Sequence, residues 1–213
     1  MKIEEETPFF SYDVALIKLD KPFEIIPEFD ISQIDKRLHV CPICLPGKNT
    51  FHKKAQLNKI TILGMGAVNK KGGKVLELQY AKEIKRISPE VCYKKWHPGK
   101  NPLQEPPSKK EIEADRGFCV RGENKEIICT GDEGSPAIAK YKNAEYLIGI
   151  AYVSDSKCSR EWMTSSTSNL PKKSVKPSKY ITIQGAIYNW LESEAEKGGK
   201  EAKDLKYWLY SRC

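Results

Sequence analysis

Two stretches of this chain place reactive side chains at close spacing. Cys41-Pro42-Ile43-Cys44 is a C-x-x-C pair. Thiols at that spacing do redox chemistry or supply half of a zinc site. The other half would be a second C-x-x-C or paired histidines. Neither occurs, and His39, His52 and His97 are dispersed. No metal and no cofactor is therefore expected. The second stretch, Cys129-Thr130-Gly131-Asp132-Glu133-Gly134-Ser135-Pro136, sets two carboxylates and two hydroxyls among glycines. A carboxylate can act as a nucleophile in glycoside or phosphoryl chemistry. Against a peptide it would form an anhydride, a poor intermediate. Asp13, just ahead of an apolar run, reads by itself as an ordinary aspartate at the start of a strand.

The elements that would position these residues are mostly short. Val14-Ala15-Leu16-Ile17-Lys18-Leu19 suits a buried strand ended by Asp20-Lys21-Pro22. Residues 23–40 mix apolar and charged types and read as a surface loop. Ile60-Thr61-Ile62-Leu63 is a strand stopped by Gly64-Met65-Gly66, and Lys70-Lys71-Gly72-Gly73 is a turn. Val75 to Tyr80 and Tyr146 to Val153 are further strands, and Pro89 to Trp96 is a short helix carrying Cys92. Residues 97–110 and 159–179 read as loop. Ile183, Ala186, Ile187, Trp190 and Leu191 recur at helical spacing, and Gly198-Gly199 ends that helix. Leu205, Trp208 and Leu209 could line a weaker second helix. Many short strands with one terminal helix indicate an all-β architecture.

Composition bounds the rest. The 213 residues suit one compact unit, and 39% apolar content supports a packed core. No run approaches the roughly 18 apolar residues of a membrane span, and no secretory leader follows Met1-Lys2-Ile3. The net charge of +8 favours acidic partners, although a solvated lysine-rich surface is the simpler reading. Seven cysteines suggest an oxidising compartment, and the odd count leaves one without an internal partner.

Taken in order, several segments resemble the trypsin/chymotrypsin family of serine proteases. Tyr12 to Leu19 resembles the strand holding the catalytic aspartate. Val40-Cys41-Pro42-Ile43-Cys44-Leu45-Pro46 resembles the connection that follows it. Ile62-Leu63-Gly64-Met65-Gly66 resembles the V-x-G-W-G turn, with Met65 for tryptophan. Cys129 to Pro136 resembles C-x-G-D-S-G-G-P around the nucleophile. Gly149 to Val153 resembles the strand beside the substrate cleft, and Tyr180 to Leu191 the closing helix. The resemblance implies two antiparallel β-barrels with a C-terminal helix. It begins at the aspartate strand, so the N-terminal barrel is expected to be incomplete. Residues 1–195 form that domain and residues 196–213 a tail, helical in part. A chain shortened at its start by a truncated gene model is the expected reason.

The same resemblance assigns roles. It pairs Cys92 with Cys119 and Cys129 with Cys158, and leaves Cys41, Cys44 and Cys213 without assigned partners. A third common bridge falls on Ile60 and Ala139, so it is missing as a pair. Asp13 matches the triad aspartate. The family's histidine lies upstream of that strand, and no histidine precedes Asp13. Glu133 replaces the nucleophilic serine. The amides of Gly131 and Glu133 match the oxyanion hole, where a carboxylate would repel the developing anion by several kcal/mol at an effective dielectric of about 20. Asp132 matches the residue that pairs with a new N-terminal amine. Without that partner it would be a costly buried charge, which implies a zymogen-like or rearranged loop. Specificity-pocket positions fall on Ile127, Tyr152 and Ser154, with Ile128 adjacent. Ser135 matches a glycine and should not enter the cleft.

The expected function is a catalytically inactive homolog acting by binding, as a decoy, cofactor or scaffold. Its partner would be a protein, either a protease or a protease substrate, in an extracellular setting. The alternative is a serine-type endopeptidase, as the family alone implies. Lys94-Lys95, Lys109-Lys110, Lys172-Lys173, Lys176 and Lys179 make an anionic glycan a further candidate. Sparse aromatics among these lysines argue against nucleic acid.

Overall fold

Hydrogen bonding closes a sheet into a barrel when its first and last strands meet. Six strands do so here, in the order β1-β2-β3-β6-β5-β4. They are β1 (Ile60–Gly64), β2 (Gln79–Ile87), β3 (Gly117–Arg121), β4 (Pro136–Tyr141), β5 (Ala144–Val153) and β6 (Ser178–Thr182), all antiparallel to their neighbours. Helix α1 (Pro89–Trp96) follows β2, and α2 (Ala186–Lys197) follows β6. The computed structural model describes residues 13–17, 19–21, 43–46, 59–66, 77–96, 117–122, 128–141, 144–153 and 176–198. Closure leaves no strand edge exposed in this barrel.

The alternation of side chains fills both faces. Ile60, Ile62, Ile84, Phe118, Val120 and Tyr180 point into one apolar cluster. On the opposite face of β6, Ile181 packs with Ile183, Ile187, Tyr188, Leu191 and Ala195 of the α2 region. Strand β6 is thus covered on both sides, and all five of its residues are buried. Helix α1 covers β3, and its Cys92 is bonded to Cys119. Its start is written in Ser88-Pro89-Glu90. The Ser88 hydroxyl accepts from Val91 N at 3.3 Å, proline sits at the first helical position, and Glu90 meets the positive end of the helix.

The described residues bear out the all-β architecture with a terminal helix, and the barrel toward the N-terminus is incomplete among them. Ile60 and Ala139 face each other as Cα partners across β1 and β4, both fully buried. The missing bridge is therefore replaced by an apolar contact pair. The Cys92–Cys119 bridge is present.

Other expectations are corrected. Residues 14–17 and 19 form no strand: Leu16, Ile17 and Leu19 are exposed at 48%, 84% and 49%. The run has the composition of a strand but no partner strand among the described residues, and only Val14 packs, against the α2 cluster. The neighbouring segment makes one parallel bridge, Cys44 to Tyr146. β2 begins at Gln79, with Glu77 and Leu78 outside it, and continues through charged residues that mask its strand character. Ser178 and Lys179, expected in a loop, lie in β6. Helix α2 ends at Lys197, at the break expected from Gly198-Gly199. The loops at 23–40 and 97–110, the turn at 70–73 and the helix at 205–209 lie outside the described residues.

β2 carries a local strain. Its register with β1 shifts between Ile60 and Ile62, so an extra residue is accommodated on β2. There Glu83 takes φ 59, a left-handed conformation that disfavours residues with a Cβ. Its ion pair with Lys59 at 3.2 Å is highly exposed and offsets little. Glu83→Asn is expected to raise stability by about 0.5 kcal/mol, because asparagine tolerates this region better. A higher urea midpoint at unchanged m-value is the readout.

Candidate functional site

The loop from Cys129 to Ser135 is two successive turns. Asp132 N donates to Cys129 O at 2.9 Å, and Ser135 N donates to Asp132 O at 2.9 Å. Gly131 (φ 94) and Gly134 (φ 89) occupy the third position of each. That position takes positive φ in a type II turn, which is why glycine stands in both. The pair of turns is anchored on β5, where Gly134 N donates to Ala151 O and Ala151 N donates to Ser135 O, both at 2.8 Å.

The side chain of Asp132 organises the loop from within. One carboxylate oxygen, Oδ2, accepts from Cys129 N at 2.8 Å, and Oδ1 accepts from Gly66 N at 2.6 Å. The first bond closes the loop on itself, and the second ties it to the end of β1. The residue is buried, at 8% exposure. Two backbone amides take up the carboxylate. The bonds are charge-assisted, each contributing about 1.5–3 kcal/mol net. Access requires glycine on β1's end, since a Cβ at Gly64 or Gly66 would overlap the carboxylate.

Glu133 turns back on the same loop. Its Oε2 accepts from Gly131 N at 2.7 Å. A backbone donor expected to serve an oxyanion thus already holds an internal carboxylate. Asp13 is exposed and outside any strand. His39, His52 and His97 lie outside the described residues, as do Ile127, Ser154 and Cys158. Cys129 and Cys44 are both disulfide-bonded.

The pocket side is densely packed. Ile128 is buried at 2%, and its N–H donates to Ser178 Oγ at 2.9 Å. Tyr152 is half-buried and packs against both the α1 and the α2 clusters. Tyr180 stacks on Phe118 with ring centroids 5.6 Å apart. Its hydroxyl is fully buried and has no hydrogen-bond partner among the described residues. Burial, with a smaller contribution from the Asp132 charge, pushes the phenol far above its usual value of 10.0. Reading the sequence missed Ser178 and Tyr180 as parts of this site. Their signal was the Pro177-Ser178-Lys179-Tyr180 run, hidden at the boundary of a presumed loop.

The family model described as Trypsin matches residues 2–168. The chain belongs to the trypsin family. It is similar to the human (Homo sapiens) complement C1r subcomponent-like protein, at 26% identity over 152 residues. That match covers 71% of this chain and 26% of the relative, so the chain spans about a quarter of that protein's length.

Two stability measurements probe the site. Gly64→Ala is expected to cost about 3 kcal/mol, because its methyl must displace a buried carboxylate. Gly134→Ala, which meets open space, is expected to cost only about 1 kcal/mol for its backbone conformation. Urea titration of both variants ranks them. Tyr180→Phe removes an unsatisfied buried hydroxyl and is expected to raise stability by about 1 kcal/mol at neutral pH. The sign with pH follows from the raised phenol. Below pH 10 both folded and unfolded forms stay protonated, and above it the unfolded chain alone ionises. Stability from this group is lost as pH climbs past 10, and the phenylalanine variant is expected to show a shallower alkaline decline.

Proposed function

We propose that this chain is a catalytically inactive member of the trypsin family that acts by binding. The observation that carries the reading is the hydrogen bond from Gly131 N to Glu133 Oε2 at 2.7 Å. Acyl transfer needs an ionisable hydroxyl at that position and an empty donor for the oxyanion. Glu133 removes the first and occupies the second. The exposed Asp13 supports the same reading, since a triad carboxylate works by fixing and charging a sheltered imidazole.

The partner is a protein, a protease or a protease substrate, engaged as decoy, cofactor or scaffold. Family surfaces already shaped for polypeptides favour that class. An extracellular setting is supported by the Cys92–Cys119 bridge and by the bonded state of Cys44 and Cys129. Among the described residues no helix is long and apolar enough to cross a membrane.

The deciding experiment combines an active-serine phosphonylating probe with turnover of small peptide esters. The parent chain and Glu133→Ser are both expected to remain unlabelled and to hydrolyse nothing above background. A hydroxyl alone is a weak nucleophile until a neighbouring base takes its proton. Turnover by the parent that disappears on Glu133→Gln would overturn the proposal and return the chain to the endopeptidases.

A further inference from the structure

The register of β1 with β2 gathers apolar side chains on the outside of the barrel. Ile62 and Ile84 point into the core, and Ala81 packs against it. Alternation from these residues sends Leu63 on β1 and Tyr80 on β2 outward. The two are Cα partners. Gly64 and Gln79 are the last partners of the pair, and Met65 and Leu78 stand just beyond them. Met65, Leu78 and Tyr80 are exposed at 54%, 58% and 64%. Apolar groups gathered on one face and bordered by charge mark a surface that meets another protein. Leu16, Ile17 and Leu19 are also exposed, but no strand fixes their spacing.

Charge is arranged along the same row. Glu77 stands exposed one residue before Leu78, and Lys82 stands exposed two residues after Tyr80. The Lys82 ammonium lies 5.1 Å from the centre of the Tyr80 ring. Neither Glu77 nor Lys82 has an ion pair among the described residues. The neighbouring Glu83 is paired with Lys59 at 3.2 Å, so those two add no net charge. The row thus runs from an anion through apolar groups to a cation, over about 17 Å at strand spacing. Turned end for end, it is its own complement.

We propose that this face, the outer side of β1 and β2, is a docking surface for a second copy of this chain. A two-fold contact requires a self-complementary patch, in which residue i meets j and j meets i. Rotation about an axis near Tyr80 brings the two Tyr80 rings together at the centre. It lays the Lys82 stem of each copy over Leu78 of the other, with the ammonium reaching Glu77. The aromatic centre carries the binding, and the exposed pairs at its rim fix the register. The patch is small against the ~800 Å² per partner of a stable complex, so the dimer is weak and exchanges with monomer. A strongly acidic or strongly basic partner fits less well, because the row offers one charge of each sign. The contact does not depend on the chemistry at Glu133.

The test is sedimentation of the whole chain over a concentration series. The parent is expected to shift from monomer toward dimer as concentration rises through the micromolar range. L78S/Y80S is expected to weaken association about tenfold or more, with unchanged far-UV circular dichroism reporting an intact fold. K82E lowers the net charge of +8 by two, and E77K raises it by two. General repulsion between copies would therefore make K82E associate more tightly and E77K less. The two-fold contact instead has both variants weaken, each about fivefold, because each breaks both ion pairs and opposes like charges. The double variant E77K/K82E, which keeps the parent's net charge, is expected to return to within about twofold of the parent. A chain that stays monomeric up to about 0.5 mM overturns the proposal. So does tighter association of K82E, a double variant no better than either single one, or a dimer lost in L16S/I17S but kept in L78S/Y80S.

Discussion

A buried carboxylate with two backbone partners organises the site. Asp132 reaches Cys129 N inside its own loop and Gly66 N at the end of β1. Removing a carboxylate from water costs several kcal/mol, so such a charge persists only where donors are fixed in place. The barrel fixes them. β1 closes against β4, which begins at Pro136 directly after the loop, and both ends of the Asp132 bridge are held by that pairing. Gly64 and Gly66 lack side chains where the carboxylate sits, and the two turns supply the positive φ at Gly131 and Gly134 that let the chain double back.

Two backbone amides hold the Asp132 carboxylate, and through them the loop is tied both to itself and to the segment that follows β1. Glu133, itself exposed, accepts from Gly131 N and closes one more hydrogen bond within the loop.

The same closure has a second effect on the outside of the barrel. Strand alternation sends Phe118, Val120 and Tyr180 inward, and it sends Cys119 and Lys179 outward. Helix α1 is stapled onto the outward residues, so its terminal Trp96 is brought to Lys176 and Lys179. Tyr180 links the inside to the site, for its buried hydroxyl feels the Asp132 charge while its ring stacks on Phe118. Core, site and outer face are three readings of one strand register.

Much of this was legible in the amino-acid sequence, wherever a feature is local. Turn glycines, the Ser88-Pro89 start of α1, the helical stripe of α2 and the order of family motifs depend on neighbours a few positions apart. The Cys92–Cys119 pairing and the Ile60–Ala139 contact followed from that order alone. The fate of Asp132 did not, because its second donor lies 66 positions away on β1. The exposure of Leu16, Ile17 and Leu19 was equally hidden, since an apolar run is buried only where another surface meets it. Nor could the outward apolar row be gathered without the register that sets Leu63 opposite Tyr80. Spacing along the chain determines which groups are present and how each segment bends; only closure of the barrel decides which distant groups touch, and hence which charges are paired.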